Sequence, residues 1–281
     1  MEILNTIIEI RDYLAPGRRS GGSIGFVPTM GYFHEGHQSL MKRARKDNDV
    51  TVVSLFVNPI QFGPKEDLRS YPRDLERDAR MAEESGVDVI FHPSPEEMYP
   101  RGYGTYVEVT GLTDCLCGAS RPAHFRGVTT VVSKLFNIVT PDRAYFGMKD
   151  YQQFKVIERM TLDMDLPIEV VGMPTFREPD GLAMSSRNSY LNPDERRAVL
   201  VLSKSLAYAQ DRLASGTASV EELKSLVETY IGNEPLADID YVEIVDVDDL
   251  HRPDEVDDQA LLALAVRIGR TRLIDNVILT K

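Results

Sequence analysis

The chain is 281 residues long, with 32 Lys and Arg against 44 Asp and Glu and a formal net charge of −12. That length is ample for one large or two ordinary domains, and 42% hydrophobic with 27% charged residues is the mix of a soluble globular protein, expected in the cytoplasm because no apolar run approaches membrane-spanning length and Met1-Glu2 lacks the basic start of a signal peptide. The acidic balance excludes nucleic acid as the main partner, since sequence-independent affinity for a phosphate backbone needs clustered Lys and Arg, and an anionic substrate would need a local positive pocket.

Ile3, Ile7, Ile10 and Leu14 make a helical stripe expected to stop at Pro16-Gly17. Residues 23–41 (SIGFVPTMGYFHEGHQSLM) then combine a short apolar strand, a turn through Pro28-Thr29-Met30-Gly31, and a helix bearing Leu40, Met41 and Ala44 on one face. His34 and His37 flank Glu35-Gly36 at that helix start. Strand, turn and helix start form a place to receive a phosphate, because exposed backbone N–H groups and the helix dipole both favour an anion. Histidines three apart lie on one side of a helix, so both rings can reach one group.

Residues 50–57 (VTVVSLFV) are nearly all apolar and rich in β-branched side chains, as expected of a strand buried on both faces of a parallel sheet. Asn58-Pro59 ends that run. A charged helix over about 74–85 and a short strand at 87–91 follow, and the alternation of 105–109 (TYVEV) predicts an edge or side strand. Cys115 and Cys117 form a CxC pair with no second Cys/His group beside it, expected as reduced structural thiols. Residues 121–139 start polar and become an apolar helix; 143–147 reads as a strand, 149–162 as its helix, and 168–173 as a further strand. Strands alternating with helices imply a doubly wound, Rossmann-like parallel sheet, with ligands at the carboxyl ends of its strands.

After Pro174 the pattern changes to a turn-rich stretch, two helices (193–213 and 220–231) and alternating strands near 240–245, 261–268 and 273–279. The expected organisation is therefore α/β, with a Rossmann-like domain over 1–174 and a smaller α+β domain over 175–281. The acidic run 246–258 is most simply a solvated turn.

Four polar groupings fall at loops after strands or at the opening of the second domain: His34 with His37, Asn58 with Gln61, Lys149 with Asp150 and Gln153, and Met184-Ser185-Ser186-Arg187. Each alone has a plain structural explanation as a turn, a solvated helix start or a cap. Their joint placement does not.

These residues carry a resemblance. Pro28 through Gly31 with His34-Glu35-Gly36-His37, the stretch 56–62 (FVNPIQF), Tyr71-Pro72-Arg73, 124–128 (HFRGV), 147–153 (GMKDYQQ) and 184–188 (MSSRN) occur in the order found in the pantoate–β-alanine ligase (pantothenate synthetase) family. The likeness spans nearly the whole chain. The HxGH element is also similar to that of the nucleotidyltransferase superfamily, where a Lys-Met-Ser-Lys-Ser loop often stands in place of Met-Ser-Ser-Arg. Met148 departs from the family pattern, which frequently has a polar residue there.

The resemblance implies ligation of pantoate to β-alanine with ATP and Mg²⁺ through a pantoyl adenylate, releasing AMP and pyrophosphate, in a cytoplasmic homodimer. Small molecules are the implied partners, with no nucleic acid and no membrane. It implies His37, His34 and Lys149 as catalytic residues. ATP would be bound by Met30, Gly31, Tyr32, Phe33, His34, Glu35, Gly36 and His37, by Gly147, Met148, Lys149 and Asp150, and by Phe176, Met184, Ser185, Ser186 and Arg187. Gln61, Gln153, Asn58 and Arg121 would bind the other substrates. Magnesium would come with ATP rather than on a protein site, with Asp78 or Asp150 holding one of its waters. The chemistry suits the residues: amides can donate to a carboxylate and accept from hydroxyls at once, and a fixed lysine and an arginine fork suit phosphates. A related nucleotidyltransferase and a non-catalytic nucleotide sensor stay open as alternatives, and the second-domain hinge at Gly181 makes closure over ATP an expectation.

Overall fold

The computed structural model describes residues 1–64, 66–217 and 219–281. The chain divides into two compact units. The first comprises Met1–Thr110, Arg121–Met148 and Gln153–Pro174; the second comprises Gly111–Ser120, Lys149–Gln152 and Thr175–Lys281. No helix among the described residues is long and apolar enough to cross a membrane.

Elements β1 (Glu2–Leu4), α1 (Ile7–Arg19), β2 (Ile24–Thr29), α2 (Glu35–Asp47) and β3 (Val50–Leu55) open the chain. They are followed by α3 (Leu75–Glu84), β4 (Val89–Phe91), α4 (Pro95–Met98), α5 (Leu116–Ser120), α6 (His124–Val139), β5 (Arg143–Gly147), α7 (Tyr151–Asp163) and β6 (Glu169–Met173). The six strands form one sheet in the order β1-β4-β3-β2-β5-β6, every pair parallel. Its core includes Val27, Val53, Ile90 and Tyr145, packed with Leu40, Met41 and Ala44 from the apolar face of α2. From β2 the chain steps outward to β3 and β4, then returns to place β5 on the other side of β2. The reversal between β2 and β5 is the kind of switch point at which doubly wound sheets bind ligands.

Two local features differ from the sequence expectation. Helix α1 does not stop at Pro16 but runs through it to Arg19, and Ile3 belongs to β1. Proline removes one N–H near the helix end, yet its own carbonyl still accepts from Ser20 at 3.2 Å, and Thr6 with Glu9 forms a full capping box at the start. Residues 105–109 form no strand. The backbone of Val107 instead bonds to hydroxyls of α6: its N–H donates to Thr130 Oγ1 at 3.0 Å, and its carbonyl accepts from Thr129 Oγ1 at 2.6 Å.

In the second unit, α8 (Pro193–Ala198), α9 (Leu200–Ala214) and α10 (Val220–Gly232) accompany an antiparallel sheet of β7 (Ala237–Val245), β8 (Gln259–Ile268) and β9 (Thr271–Thr280). Leu202, Leu206, Leu223, Val227, Ile231, Leu262 and Leu264 are buried together. The single helix expected over 193–213 is two, because Leu202 N–H reaches back only three residues to Val199 O, at 3.1 Å, and starts a new helix there. The acidic run after β7 folds on itself, with Asp246 accepting from the N–H groups of Asp248 and Asp249 at 2.7 and 3.0 Å. Both cysteines are free thiols, and Cys117 is buried.

Candidate active site

The turn after β2 is fixed by a carboxylate from α3. Gly31 and Tyr32 both take positive φ, +86° and +53°, which turns successive N–H groups to one side. Asp78 takes two of them, those of Tyr32 and Phe33, at 2.7 Å each. This is an anion-binding nest filled by the protein itself. Burial pushes the Asp78 carboxyl above the usual range, while the N–H groups of Phe33 and Tyr32 and the nearby Arg77 pull it back. Gly31 is favoured by its φ, and a Cβ there would also press on two side chains, the Asp78 carboxylate at 3.0 Å and Leu55 at 3.1 Å. The expectation that Asp78 would hold a magnesium-bound water gives way to this role: it is 1% exposed, and both its oxygens are engaged by the turn.

The turn delivers the two histidines to the start of α2. Their rings stack with centroids 4.0 Å apart and planes at 38°. His34 N–H donates to His37 Nδ1 at 3.3 Å. An Nδ1 that accepts places the ring proton on Nε2, so His37 acts as a cap in the manner of a capping-box glutamate. Buried Phe33 packs 5.5 Å from the same ring.

Next to this helix start in the sheet, the loop after β3 makes a short 3₁₀ turn at Pro59–Gln61. Asn58 Nδ2 donates to Gln61 Oε1 at 2.9 Å and to Gly127 O at 3.1 Å, and Tyr99 OH donates to Asn58 Oδ1 at 2.7 Å. Asn58, expected to touch substrate, is therefore 1% exposed and engaged on every side; it sets the orientation of Gln61. That orientation turns Gln61 Nε2 toward Met30 Sδ, 3.3 Å away. Sulfur is a weak acceptor, so this N–H can exchange it for a carboxylate at small cost. Helix α6 backs the turn through Gly127, where any Cβ would meet the backbone of Ile60 and Gln61 at 2.6 Å.

Arg121, also expected on substrate, already has its guanidinium engaged by protein groups. Its Nε and one terminal nitrogen grip both oxygens of Glu66 at 2.8 and 2.6 Å, and its other terminal nitrogen faces His124 Nε2 at 2.9 Å. Burial works against the charge on Glu66, but this fork and the Gly63 N–H carry its carboxyl below the usual range. Gln153 lies half-buried in the first turns of α7.

In the second unit the Lys149 ammonium lies 3.7 Å from Asp150, and the Lys149 carbonyl accepts from Asn276 Nδ2 at 2.8 Å. Residues 176–184 fold back on themselves around Gly181, whose φ is +92°: Glu178 N–H meets Leu182 O at 2.8 Å and Met184 N–H meets Phe176 O at 2.9 Å. Arg177 pins this loop to β9 by a two-point bond to Asp275 at 2.8 and 2.9 Å, and also donates to Gly181 O at 3.1 Å. Ser185 Oγ then accepts from Arg187 N–H at 3.3 Å, starting a 3₁₀ turn at Ser186–Tyr190. The Phe176 ring is 42% exposed, which leaves an aromatic face on which a flat ligand can stack.

Sequence reasoning missed Glu66, Tyr99, Asp275 and Asn276 as supports. Gly127 carried a usable signal, since a glycine inside an apolar helical pattern marks close approach of another backbone.

A parallel sheet with a strand–turn–helix start beside its switch point defines a Rossmann-like α/β protein of the nucleotide-binding kind. The particular family follows from comparison: the chain matches the pantoate-beta-alanine ligase family over residues 2–278 and belongs to it. It is 60% identical to the pantothenate synthetase of Pelotomaculum thermopropionicum, with 99% of each chain covered. The crystal structure of pantothenate synthetase from Thermus thermophilus superposes with a TM-score of 0.95 at 46% identity, covering 100% of both chains. A pantoate-beta-alanine ligase from Francisella tularensis, complexed with beta-gamma ATP and beta-alanine, superposes at 0.80 with 33% identity, covering 99% of this chain and 97% of that one.

Proposed function

We propose that this protein joins pantoate to β-alanine with ATP, forming pantothenate through an acyl adenylate. A pantoate carboxylate oxygen attacks the α-phosphorus of ATP; the new P–O bond forms as the bond to the β-phosphate oxygen breaks and pyrophosphate leaves. The neutral amine of β-alanine then attacks the acyl carbon. The C–N bond forms, the acyl C–O bond breaks, AMP departs, and the nitrogen loses a proton. No protein nucleophile is needed, so the work is positioning and charge stabilisation.

The observation that carries this reading is the His34–His37 arrangement, two imidazoles held against each other at a helix start by the bond from His34 N–H to His37 Nδ1, which puts the His37 ring proton on Nε2. His37 and His34 would donate to phosphate oxygens, and the turn and helix-start residues Met30 to His37 would cradle the nucleotide, with Phe33, expected on ATP but 0% exposed and bonded through its N–H to Asp78, backing the His37 ring instead of touching the nucleotide. Lys149, Ser185, Ser186 and Arg187 would hold the phosphates, Gly147, Met148 and Asp150 would flank them, and Phe176 and Met184 would cover the base. Gln61 and Gln153 would take the pantoate carboxylate and hydroxyls with neutral donors, which leaves the nucleophile unquenched by a salt bridge. Magnesium, arriving with ATP, would neutralise the triphosphate while keeping several waters, so it asks for few protein ligands; Asp150, half exposed beside Lys149, is the carboxylate that would hold one of those waters. We further infer a cytoplasmic homodimer, with 1–174 as the ATP- and pantoate-binding domain and 175–281 closing over the nucleotide.

Phosphorus NMR of ATP with the protein, Mg²⁺ and pantoate, before and after adding β-alanine, tests the reaction. AMP and pyrophosphate in the full mixture, absent without pantoate, is the expected result, with pantothenate detected by mass. ADP and phosphate would mean an acyl-phosphate route and overturn the mechanism, and ATP bound without turnover would leave a nucleotide sensor.

A further inference from the structure

Arg121 and His124 sit beside Gln61 without turning their polar groups to open space. His124 Nδ1 lies 2.9 Å from the Gln61 carbonyl oxygen, and its Nε2 lies 2.9 Å from a terminal nitrogen of Arg121. The partners decide the tautomer: a carbonyl can only accept and a guanidinium can only donate, so Nδ1 carries the proton and Nε2 offers its lone pair. Arg121 is in turn oriented by its two-point bond to Glu66. The result is a directed chain from Glu66 through Arg121 and His124 to the backbone of Gln61, while Asn58 grips the same residue's side chain. Gln61 is thus held at both ends, its carbonyl by an imidazole and its amide oxygen by an amide. A 3₁₀ turn of three residues has no helix ladder to hold its carbonyls in place, so the external grip decides where the Gln61 donor points.

We propose that Arg121 and His124 are positioning residues for Gln61, and that Glu66, Arg121 and His124 together set the pantoate-binding geometry without touching substrate. The proposal rests on the reading of Gln61 as a pantoate contact. It converts an arginine that looks like a carboxylate binder into one that keeps its charge away from the attacking carboxylate, because the guanidinium is already matched by Glu66.

The two ring nitrogens can be removed separately. An asparagine amide overlies Nδ1 and a glutamine amide overlies Nε2, so His124→Asn keeps the donor to Gln61 while His124→Gln keeps only the acceptor for Arg121. We expect His124→Gln to raise the KM for pantoate about tenfold, the usual worth of one well-placed hydrogen bond, with the KM for ATP unchanged. His124→Asn is expected to restore most of that loss, and Arg121→Lys, which breaks the fork, to fall between them. Thermal melts of each variant verify folding; should His124→Gln fail to fold, Arg121→Lys against wild type carries the same test. Equal pantoate KM values for His124→Gln and wild type would overturn the proposal. So would a larger pantoate effect from Arg121→Lys than from His124→Gln, which would mean the guanidinium binds substrate directly, or KM values for all three substrates rising together, which would mean a general loss of fold. Gln61→Ala separates the two levels: an unchanged pantoate KM there removes the reading of Gln61 and the proposal with it, whereas a raised KM there beside an unmoved His124→Gln overturns the positioning chain alone.

Discussion

The two units hold their candidate site groups by different means. In the first, the candidate donors themselves are oriented by local, uncharged bonds, His37 by an N–H three residues away and Gln61 by an amide three residues away, with Asp78 and the Glu66–Arg121 pair supporting them from farther along the chain. In the second, a buried carboxylate pins the loop from 98 residues away, Arg177 to Asp275. A bond between residues three apart can be lost with little effect on folding because the rest of the sheet does not depend on it. A remote ion pair with one partner buried cannot, because the group left behind has no water to turn to. Damage to the first unit's local bonds should therefore appear mainly in turnover, and damage to remote buried carboxylates, Asp275 in the second unit and to a lesser degree Asp78 in the first, mainly in stability.

Substitutions can break that contrast. The largest effect is expected for His37→Ala, a loss of about a hundred- to a thousand-fold in kcat for AMP release, as when one transition-state donor is removed, with stability lowered only by the value of a cap, about 1 kcal/mol. Near wild-type turnover at saturating substrates would remove His37 from the mechanism. Arg177→Ala should invert the pattern. It leaves the Asp275 carboxylate, 1% exposed, without its cation, and urea unfolding should show a loss of about 3 kcal/mol, the low end for such pairs because Arg177 itself is partly exposed. A loss under about 1 kcal/mol would mean the pair is not what holds the loop.

Smaller changes sharpen the comparison. Asp78→Asn keeps the shape but offers one acceptor to two N–H groups, so either Tyr32 or Phe33 loses its partner. Destabilisation of about 1–3 kcal/mol is expected, and hydrogen exchange should localise it to the turn before α2. The smallest effect concerns pH. Arg121 holds the Glu66 carboxyl below its ordinary range, so the stability it contributes is present above the unfolded value, about 4.3, and is lost as pH falls through the lower folded value. Glu66→Gln should therefore flatten acid unfolding in that window by under about 1 kcal/mol, since the pair is partly exposed; an unchanged acid limb would show that the fork adds nothing to folding.

The parallel sheet was legible because strands buried on both faces are nearly continuous apolar runs, as at residues 50–55, broken only by Thr51 and Ser54. The helix-start histidines were legible because their partners lie within a few residues. What the sequence hid was the identity of partners. The alternation at 105–109 is the same whether a strand or two threonine hydroxyls take the backbone bonds, and here Thr129 and Thr130 take them. Arg121 carries no mark that Glu66, 55 residues earlier, already occupies it. Asn58 reads as a ligand until Tyr99 and Gly127 are brought against it. In each case residue type showed what chemistry was available, and only the fold decided what it faced.

His37 answers to two demands at one position. Its Nδ1 closes the start of α2, and in the proposed reaction its Nε2 serves the phosphate. Serine could cap but is too short to reach outward, glutamine carries an acceptor and a donor but on the same carbon rather than on opposite edges of a ring, and a ring with protons on both nitrogens could not accept the capping bond. The site therefore has almost no neutral substitutions through which to drift. A library randomised at residue 37 and selected separately for folding and for growth should return several capping residues from the first selection and histidine alone from the second.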